Sequence, residues 1–295
     1  MTETAAQESH RPRVIAEIGC NHKGKMTIAR ELISLAATFA GADVAKFQKR
    51  SPKELLPPDQ YNTPHPNPMH AYGDTYGAHR EFLEFSVDQH RQLQEWCREF
   101  SIEYSTSVWD LTSAREITQL SPKLIKIPSA CNTHLEMLSY LCDDFSGEIH
   151  VSLGMTSRAE EEQLLDLLVT KQRAQDVVLY SCTSGYPVPF DDICLLEIQR
   201  LKDAYGHYVQ SIGFSGHHLG IAVDIAAYAM GARWVERHFT CDRTWKGTDH
   251  AASLEPDGLR RLVRDLKAVS CALAPKRQEI LPIEQVQRVK LKFGQ

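Results

Sequence analysis

The sequence predicts a (β/α)8 barrel, a single-domain α/β fold, from two observations. Short apolar runs of about four to eight residues recur along the chain, each ending in a polar or reactive residue. Between them lie longer stretches with apolar residues at three- and four-residue spacing, as in Ile28-Leu32-Leu35-Ala36 and Ile221-Ile225-Ala229. Short buried strands alternating with amphipathic helices read as successive βα units on a parallel sheet. Eight such units in about 250 residues is the usual size of a closed barrel. A doubly wound open sheet is the alternative, but the G-x-G-x-x-G turn it favours is absent.

Taken in order, the predicted strands are 14–18 around Glu17, 44–48 around Lys46, 102–106, 124–129 around Lys126, 149–152, 177–184, 212–217 and 234–238. In a barrel of this kind the active site lies at the carboxyl ends of the strands, where this chain puts its Glu, Lys, Ser, Thr and His residues. The rhythm breaks twice. Between the second strand and a helix beginning near Val87 lies a long loop, 51–85, with Pro57, Pro58, Pro64, Pro66 and Pro68, and with aromatic residues and histidines along it. Loops this long inside a compact domain are usually functional. After Ala274 comes a tail with Pro275 and Pro282 and a short amphipathic stretch, 283–291, suited to packing on the barrel or to a subunit contact. The expected organisation is a flexible segment at 1–12, the barrel at 13–273 with the 51–85 loop, and the tail at 274–295.

The 295 residues carry a formal net charge of −5 with both signs mixed throughout. No long basic stripe is available to neutralise a nucleic-acid backbone. No apolar run approaches the ~18 residues that would span a bilayer, and the first residues are polar with no signal-peptide core. The expectation is a cytoplasmic protein without nucleic-acid or membrane partners. Its 8 cysteines are widely spaced, with no C-x-x-C pair, and read as reduced thiols.

Lys46 and Lys126 both fall inside apolar strand segments, Val44-Ala45-Lys46-Phe47-Gln48 and Leu124-Ile125-Lys126-Ile127-Pro128-Ser129. A buried ammonium without a partner is costly, so two of them imply either an anion between them or pairing with a barrel carboxylate such as Glu17. Hydroxyls from Thr106, Ser129, Ser152, Ser184 and Ser215 recur at other strand ends, and with the lysines they suit a phosphate or carboxylate. His217 and His238 end neighbouring strands, a good start for a divalent metal site with open positions. His22, His218 and His250 lie in loops and are weaker candidates.

Several segments together resemble the sialic acid synthase family: Glu17-Ile18-Gly19-Cys20-Asn21-His22-Lys23-Gly24, Lys46-Phe47-Gln48, Ser105-Thr106, Lys126-Ile127-Pro128-Ser129, Cys182-Thr183-Ser184-Gly185-Tyr186-Pro187, Ile212-Gly213-Phe214-Ser215-Gly216-His217 and Glu236-Arg237-His238-Phe239-Thr240. The resemblance implies condensation of phosphoenolpyruvate with an aldose, a manno-configured hexose or N-acylated amino sugar with or without a phosphate, giving a 2-keto-3-deoxy sugar acid and releasing phosphate. It implies a divalent cation, Mn2+ or Mg2+, held by His217 and His238. Lys46, Thr106, Lys126, Ser129, Ser152, Ser184 and Ser215 would hold phosphoenolpyruvate. Gln48, Tyr186 and Asp249 would contact the sugar aldehyde, and Glu17 would sit near the reacting carbons. A homo-oligomer, dimer or tetramer, is also implied.

Two departures from the family pattern concern the sugar. Members making N-acetylneuraminate have Gly-Glu just after the fourth-strand serine, where this chain has Ser129-Ala130-Cys131-Asn132. Longer members carry a C-terminal antifreeze-like domain that caps the site, and here the expectation is a short form in which the 51–85 loop takes that place. The alternatives are an octulosonate- or heptulosonate-type synthase of the same chemistry, a Schiff-base pyruvate aldolase using Lys126, or a sugar-binding barrel without catalysis.

Overall fold

The computed structural model describes residues 12–293. Strands β1 (Arg13–Gly19), β2 (Val44–Lys49), β3 (Glu103–Val108), β4 (Leu124–Ile127), β5 (Glu148–Ser152), β6 (Val177–Cys182), β7 (Ser211–Gly216) and β8 (Trp234–His238) close into one barrel in sequence order. Every neighbouring pair is parallel, and β8 returns to β1 with Glu17 opposite His238. A helix follows each strand: α1 (Met26–Ser34), α2 (Val87–Glu99), α3 (Leu111–Thr118), α4 (Leu135–Asp144), α5 (Arg158–Thr170), α6 (Leu196–Tyr205), α7 (Ala222–Ala229) and α8 (Pro256–Ala272). The chain is therefore a (β/α)8 barrel.

Local chemistry sets the helix ends. Ser86 with Gln89 at α2, and Ser157 with Glu160 at α5, form reciprocal capping boxes, which satisfy backbone N–H groups left without helical acceptors. At α3 the Asp110 carboxylate accepts from Ser113 N at 2.7 Å with one oxygen and from Ser51 N at 2.7 Å with the other. The cap of one helix thereby anchors the start of the loop after β2. Helix α1 runs into a π-helical turn, Leu35–Ala40, and stops at Gly41, whose φ of 73° suits glycine.

Strand alternation divides the apolar residues into two sets. One set faces the helices: Ala16, Ala45, Phe47 and Val235 on one side of the barrel, and Ile125, Val151, Leu179 and Phe214 on the other. The second set, Ile15, Val44, Leu124, Val178, Tyr180 and Trp234, fills the barrel's lower interior. Gly213 belongs to this packing, because a Cβ there would lie 2.6 Å from the Tyr180 ring.

The 51–85 segment is partly helical, with short helices at Pro52–Leu55, Pro58–Asn62 and Tyr76–Phe82 and a 3-10 turn at Pro68–His70. Loop-like composition hid these turns, each opened by proline or capped by Asn67 or Thr75. The tail forms a helix, Pro282–Leu291, with Ile283, Val286 and Val289 exposed. The expected segment 1–12 lies outside the described residues except for Pro12. Among the described residues no helix is long and apolar enough to cross a membrane.

Candidate active site

Two residues above the apolar floor, the same inward faces turn ionic. On β1 Ile15 is followed by Glu17, on β2 Val44 by Lys46, on β4 Leu124 by Lys126, and on β8 Trp234 by Glu236 and then His238. These side chains open into a cavity of about 670 Å3 at the carboxyl ends of the strands. At its base Lys46 Nζ lies 2.5 Å from Glu17 Oε2, donates to Ser107 Oγ at 2.8 Å, and is 3.6 Å from Glu236 Oε2. Lys126 Nζ donates to the same Glu236 oxygen at 3.1 Å and sits 3.6 Å over the Tyr180 ring. The other Glu236 oxygen accepts from Ser215 Oγ at 3.0 Å. One carboxylate thus holds two ammonium groups from strands on different sides of the barrel.

Burial opposes ionisation of every member of this cluster. For Glu236 it is overcome by Lys126 and Lys46, which hold the carboxyl well below the usual carboxylate range. Burial wins at Glu17 despite Lys46, and its carboxyl is raised. At Lys46 the carboxylates of Glu17 and Glu236 outweigh burial and raise the ammonium's pKa, whereas at Lys126 burial prevails over Glu236 and lowers it.

Around this centre stand the hydroxyls. Ser129 Oγ accepts from Gly154 N at 3.0 Å, and a Cβ on Gly154 would lie 2.7 Å from Ser129 Oγ and 2.5 Å from Ser184 Oγ. Glycine at that position lets the two serines converge. Ser152, Ser184 and Ser215 also line the cavity. Gln48 Nε2 donates to Glu17 Oε1 at 3.2 Å, and Tyr186 and Asp249 stand at the mouth. Asp249 is held below the ordinary range despite burial, chiefly by His238.

Thr106 is the exception among the expected site residues. It is fully buried but outside the cavity, on the face of β3 that it shares with Tyr104, paired in register with Phe47 beneath the helices. A shift of one residue along a strand exchanges its faces, so Ser107 takes the inward place expected for Thr106. Glu236 was also missed, although the two-residue period linking Trp234 to His238 puts it on their face. The loop histidines His65, His70 and His79 line the cavity. The weaker candidates are structural: His22 stacks on Phe85 at 4.0 Å, His218 lies against Arg237 and Asp224, and His250 Nδ1 meets Thr240 Oγ1 at 2.7 Å.

His217 and His238 have ring centroids 5.4 Å apart. His217 Nδ1 donates to Thr183 O at 3.0 Å, leaving Nε2 with a lone pair, and burial lowers its pKa to about 3, so the ring is neutral near pH 7. His238 Nδ1 is buried without a hydrogen-bond partner. The neutral His217 ring and the neighbouring His238, each with an unused nitrogen, fit a divalent cation. Among the described residues no group of three or more His, Cys, Asp or Glu side chains is placed to hold one, so the remaining positions would fall to water or substrate.

The loop 51–85 closes over one side of the cavity. Tyr72 OH donates to Lys246 O at 2.5 Å, and Gly247 N donates to His70 Nδ1 at 3.1 Å. These bonds tie the loop after β2 to the loop after β8 that carries Asp249.

Comparison with known proteins agrees with this geometry. N-acetylneuraminate-9-phosphate synthase of Homo sapiens is 35% identical over 94% of this chain and 76% of the human one. N,N'-diacetyllegionaminic acid synthase of Campylobacter jejuni is 33% identical over 88% of this chain and 77% of its own. The N-acetylneuraminic acid synthetase of Leptospira borgpetersenii, solved with citrate, superposes with a TM-score of 0.80 at 27% identity, covering 96% of this chain and 93% of its own. The NeuB family pattern matches residues 32–278. The chain belongs to the NeuB family.

Proposed function

We propose that the protein is a phosphoenolpyruvate-dependent sugar-acid synthase, joining C3 of phosphoenolpyruvate to the aldehyde carbon of an aldose to give a 2-keto-3-deoxy sugar acid of the nonulosonate type. The observation that carries the reading is the pair of buried ammonium groups, Lys46 and Lys126, gathered on Glu236 inside a ring of strand-end hydroxyls. Such a pair suits a multiply charged small anion, and family membership indicates which anion.

Lys46, Lys126, Ser107, Ser129, Ser152, Ser184 and Ser215 would bind phosphate and carboxylate, with Ser107 replacing Thr106 in that set. Gln48, Tyr186 and Asp249 would orient the acceptor. A divalent cation on His217 and His238, Mn2+ or Mg2+, supplies Lewis-acid polarisation of the acceptor's aldehyde oxygen when bound. Carbon–carbon bond formation leaves positive charge at C2. Water adds there, and the tetrahedral adduct breaks its C2–O bond to release phosphate and form the ketone. Glu17, with its raised carboxyl pKa, is suited to move the proton of that water. The lysines, preorganised by Glu236 and Glu17, stabilise the leaving phosphate throughout. The 51–85 loop would exclude bulk water, and residues 13–273 would form the barrel domain that carries the site.

The test is phosphate release from phosphoenolpyruvate in the presence of manno-configured sugars, N-acylated amino sugars and pentoses, with Mn2+ or Mg2+. The expected result is release that depends on both substrates and ceases with chelator. Reduction by borohydride that attaches pyruvate to Lys126 would contradict the reading in favour of a Schiff-base aldolase.

A further inference from the structure

We propose that Tyr180 is a positioning residue for the reaction: its ring face is a neutral platform that holds the buried Lys126 ammonium toward the cavity without cancelling its charge, and His150 and Glu148 strengthen that platform from behind. The proposal rests on the synthase reading for the anion that Lys126 meets, and on the packing of β4, β5, β6 and β7 for the platform itself.

The two ammonium groups of the site are held differently. Lys46 Nζ has Glu17 Oε2 at 2.5 Å, Glu236 Oε2 at 3.6 Å and Ser107 Oγ at 2.8 Å. Lys126 Nζ has the shared Glu236 Oε2 at 3.1 Å, and among the described residues no second carboxylate lies within ion-pair distance of it. The Tyr180 ring takes that second place, with its centroid 3.6 Å from Nζ. Both side chains are fully buried. Gly213 lies opposite Tyr180 in register, and a Cβ there would come within 2.6 Å of the ring. Glycine at that position leaves the ring room to stand against β7.

Behind the ring runs a short chain of hydrogen bonds. The phenol oxygen lies 2.8 Å from His150 Nδ1, and His150 Nε2 lies 3.2 Å from Glu148 Oε2. A carboxylate only accepts, so Nε2 carries the imidazole proton and Nδ1 accepts from the Tyr180 hydroxyl. Burial favours both neutral forms: it lowers the imidazole pKa to about 4 and raises that of the phenol well above its ordinary value. A phenol that donates into such a chain has a more electron-rich ring, and the ring face attracts a cation electrostatically.

A dry ammonium needs compensation. A second carboxylate beside Lys126 would supply it, but would also neutralise the charge that the phosphate and carboxylate of phosphoenolpyruvate require. A ring face stabilises the cation and carries no net charge. Lys126 is therefore the ammonium whose charge stays most available to an incoming anion.

Replacing Tyr180 with phenylalanine carrying no, one, two or three fluorines tests this, because fluorine withdraws electron density from the ring face while nearly keeping its shape. The titration of Lys126 is followed by NMR of protein labelled with ¹³C-lysine, its signal assigned by its loss in Lys126→Met. A weaker ring face stabilises the ammonium less, so the Lys126 pKa is expected to fall stepwise, by about one unit across the series. Unfluorinated Tyr180→Phe should lie nearest to wild type. Glu236, Lys46, Cys182 and His150, the other titratable groups facing Lys126 from β8, β2, β6 and β5, are the same in every variant. The alkaline limb of kcat/KM for phosphoenolpyruvate should move to lower pH in parallel, while the acceptor KM stays nearly unchanged.

A Lys126 titration independent of fluorine content would overturn the proposal. So would equal losses for both substrates in all the variants, the pattern of a ring that only fills space, or an alkaline limb that stays fixed while the NMR titration moves. A stepwise titration in a protein that releases no phosphate from phosphoenolpyruvate would uphold the platform and count against the synthase reading alone.

Discussion

Two layers of the same barrel interior, built on the same strands and separated by one two-residue step, behave as different materials. The lower layer of Ile15, Val44, Leu124, Val178, Tyr180 and Trp234 is a packed apolar plug. The upper layer of Glu17, Lys46, Lys126 and Glu236 is equally dry, yet holds four ionisable groups within a network of contacts from 2.5 to 3.6 Å. The contrast shows how a barrel tolerates charge at its centre. The plug keeps water from entering below and fixes the strands, so the upper groups must satisfy one another until a ligand arrives. Tyr180 joins the layers, with its ring under Lys126 and its hydroxyl 2.8 Å from His150 Nδ1.

If the upper layer and its rim carry function and the lower layer carries stability, substitutions should divide accordingly. The largest effect is expected at the rim: His217→Ala and His238→Ala should each lower kcat about a hundredfold or more, since Lewis-acid stabilisation is worth several kcal/mol and each 1.36 kcal/mol is tenfold. Thermal denaturation of both variants should remain cooperative. Full activity of His217→Ala in the presence of chelator would remove the metal assignment.

Ile15→Ala, on the strand that carries Glu17, should instead cost stability, about 2–5 kcal/mol by transfer and cavity terms. Denaturant melts measure it, and kcat in the folded fraction should stay near the wild-type value. A kcat loss as large as that of the histidine variants would erase the distinction between the layers.

The division was only partly legible in the sequence. Parallel strands, the helices between them and the inward lysines could be read from apolar runs, because a lysine in a buried strand needs a reason to be there. Faces were harder: Thr106 and Ser107 are neighbours with similar side chains, and only the register against Gln48 shows that Ser107 points inward. Glu236 stands in a segment that resembles the family yet was given no role, because its importance comes from lysines 190 and 110 residues away, gathered by closure of the barrel. The helical turns of the 51–85 loop were hidden by their prolines, which here open helices rather than prevent them.

The loop sharpens the comparison from outside the barrel. Deleting residues 67–77, which include His70, Tyr72 and Tyr76, should raise the acceptor KM roughly tenfold or more, a loss on the order of one or two charge-free hydrogen bonds, and leave the phosphoenolpyruvate KM nearly unchanged. Equal increases for both substrates, or a changed oligomeric state with unchanged acceptor affinity, would assign the loop to packing.

A smaller effect should appear in the pH dependence of stability. His150 is paired in register with Lys126 and packs its ring edge-on against Trp234, and burial lowers its pKa to about 4 from 6.5. Its folded pKa is depressed, so its contribution is complete above about pH 6.5 and is lost as pH falls toward 4. The melting temperature should decline across that window, and His150→Gln should flatten the decline. An unchanged slope in the variant would show that His150 is not the group responsible.

The central claim is that the ammonium groups of the upper layer bind phosphoenolpyruvate, and calorimetric titration of that anion into wild-type, Lys46→Met and Lys126→Met proteins tests it most directly. Loss of one charge-assisted contact in a dry site is worth about 1.5–3 kcal/mol, so each variant should show a Kd roughly ten- to hundredfold higher. Unchanged affinity in both variants would contradict the account.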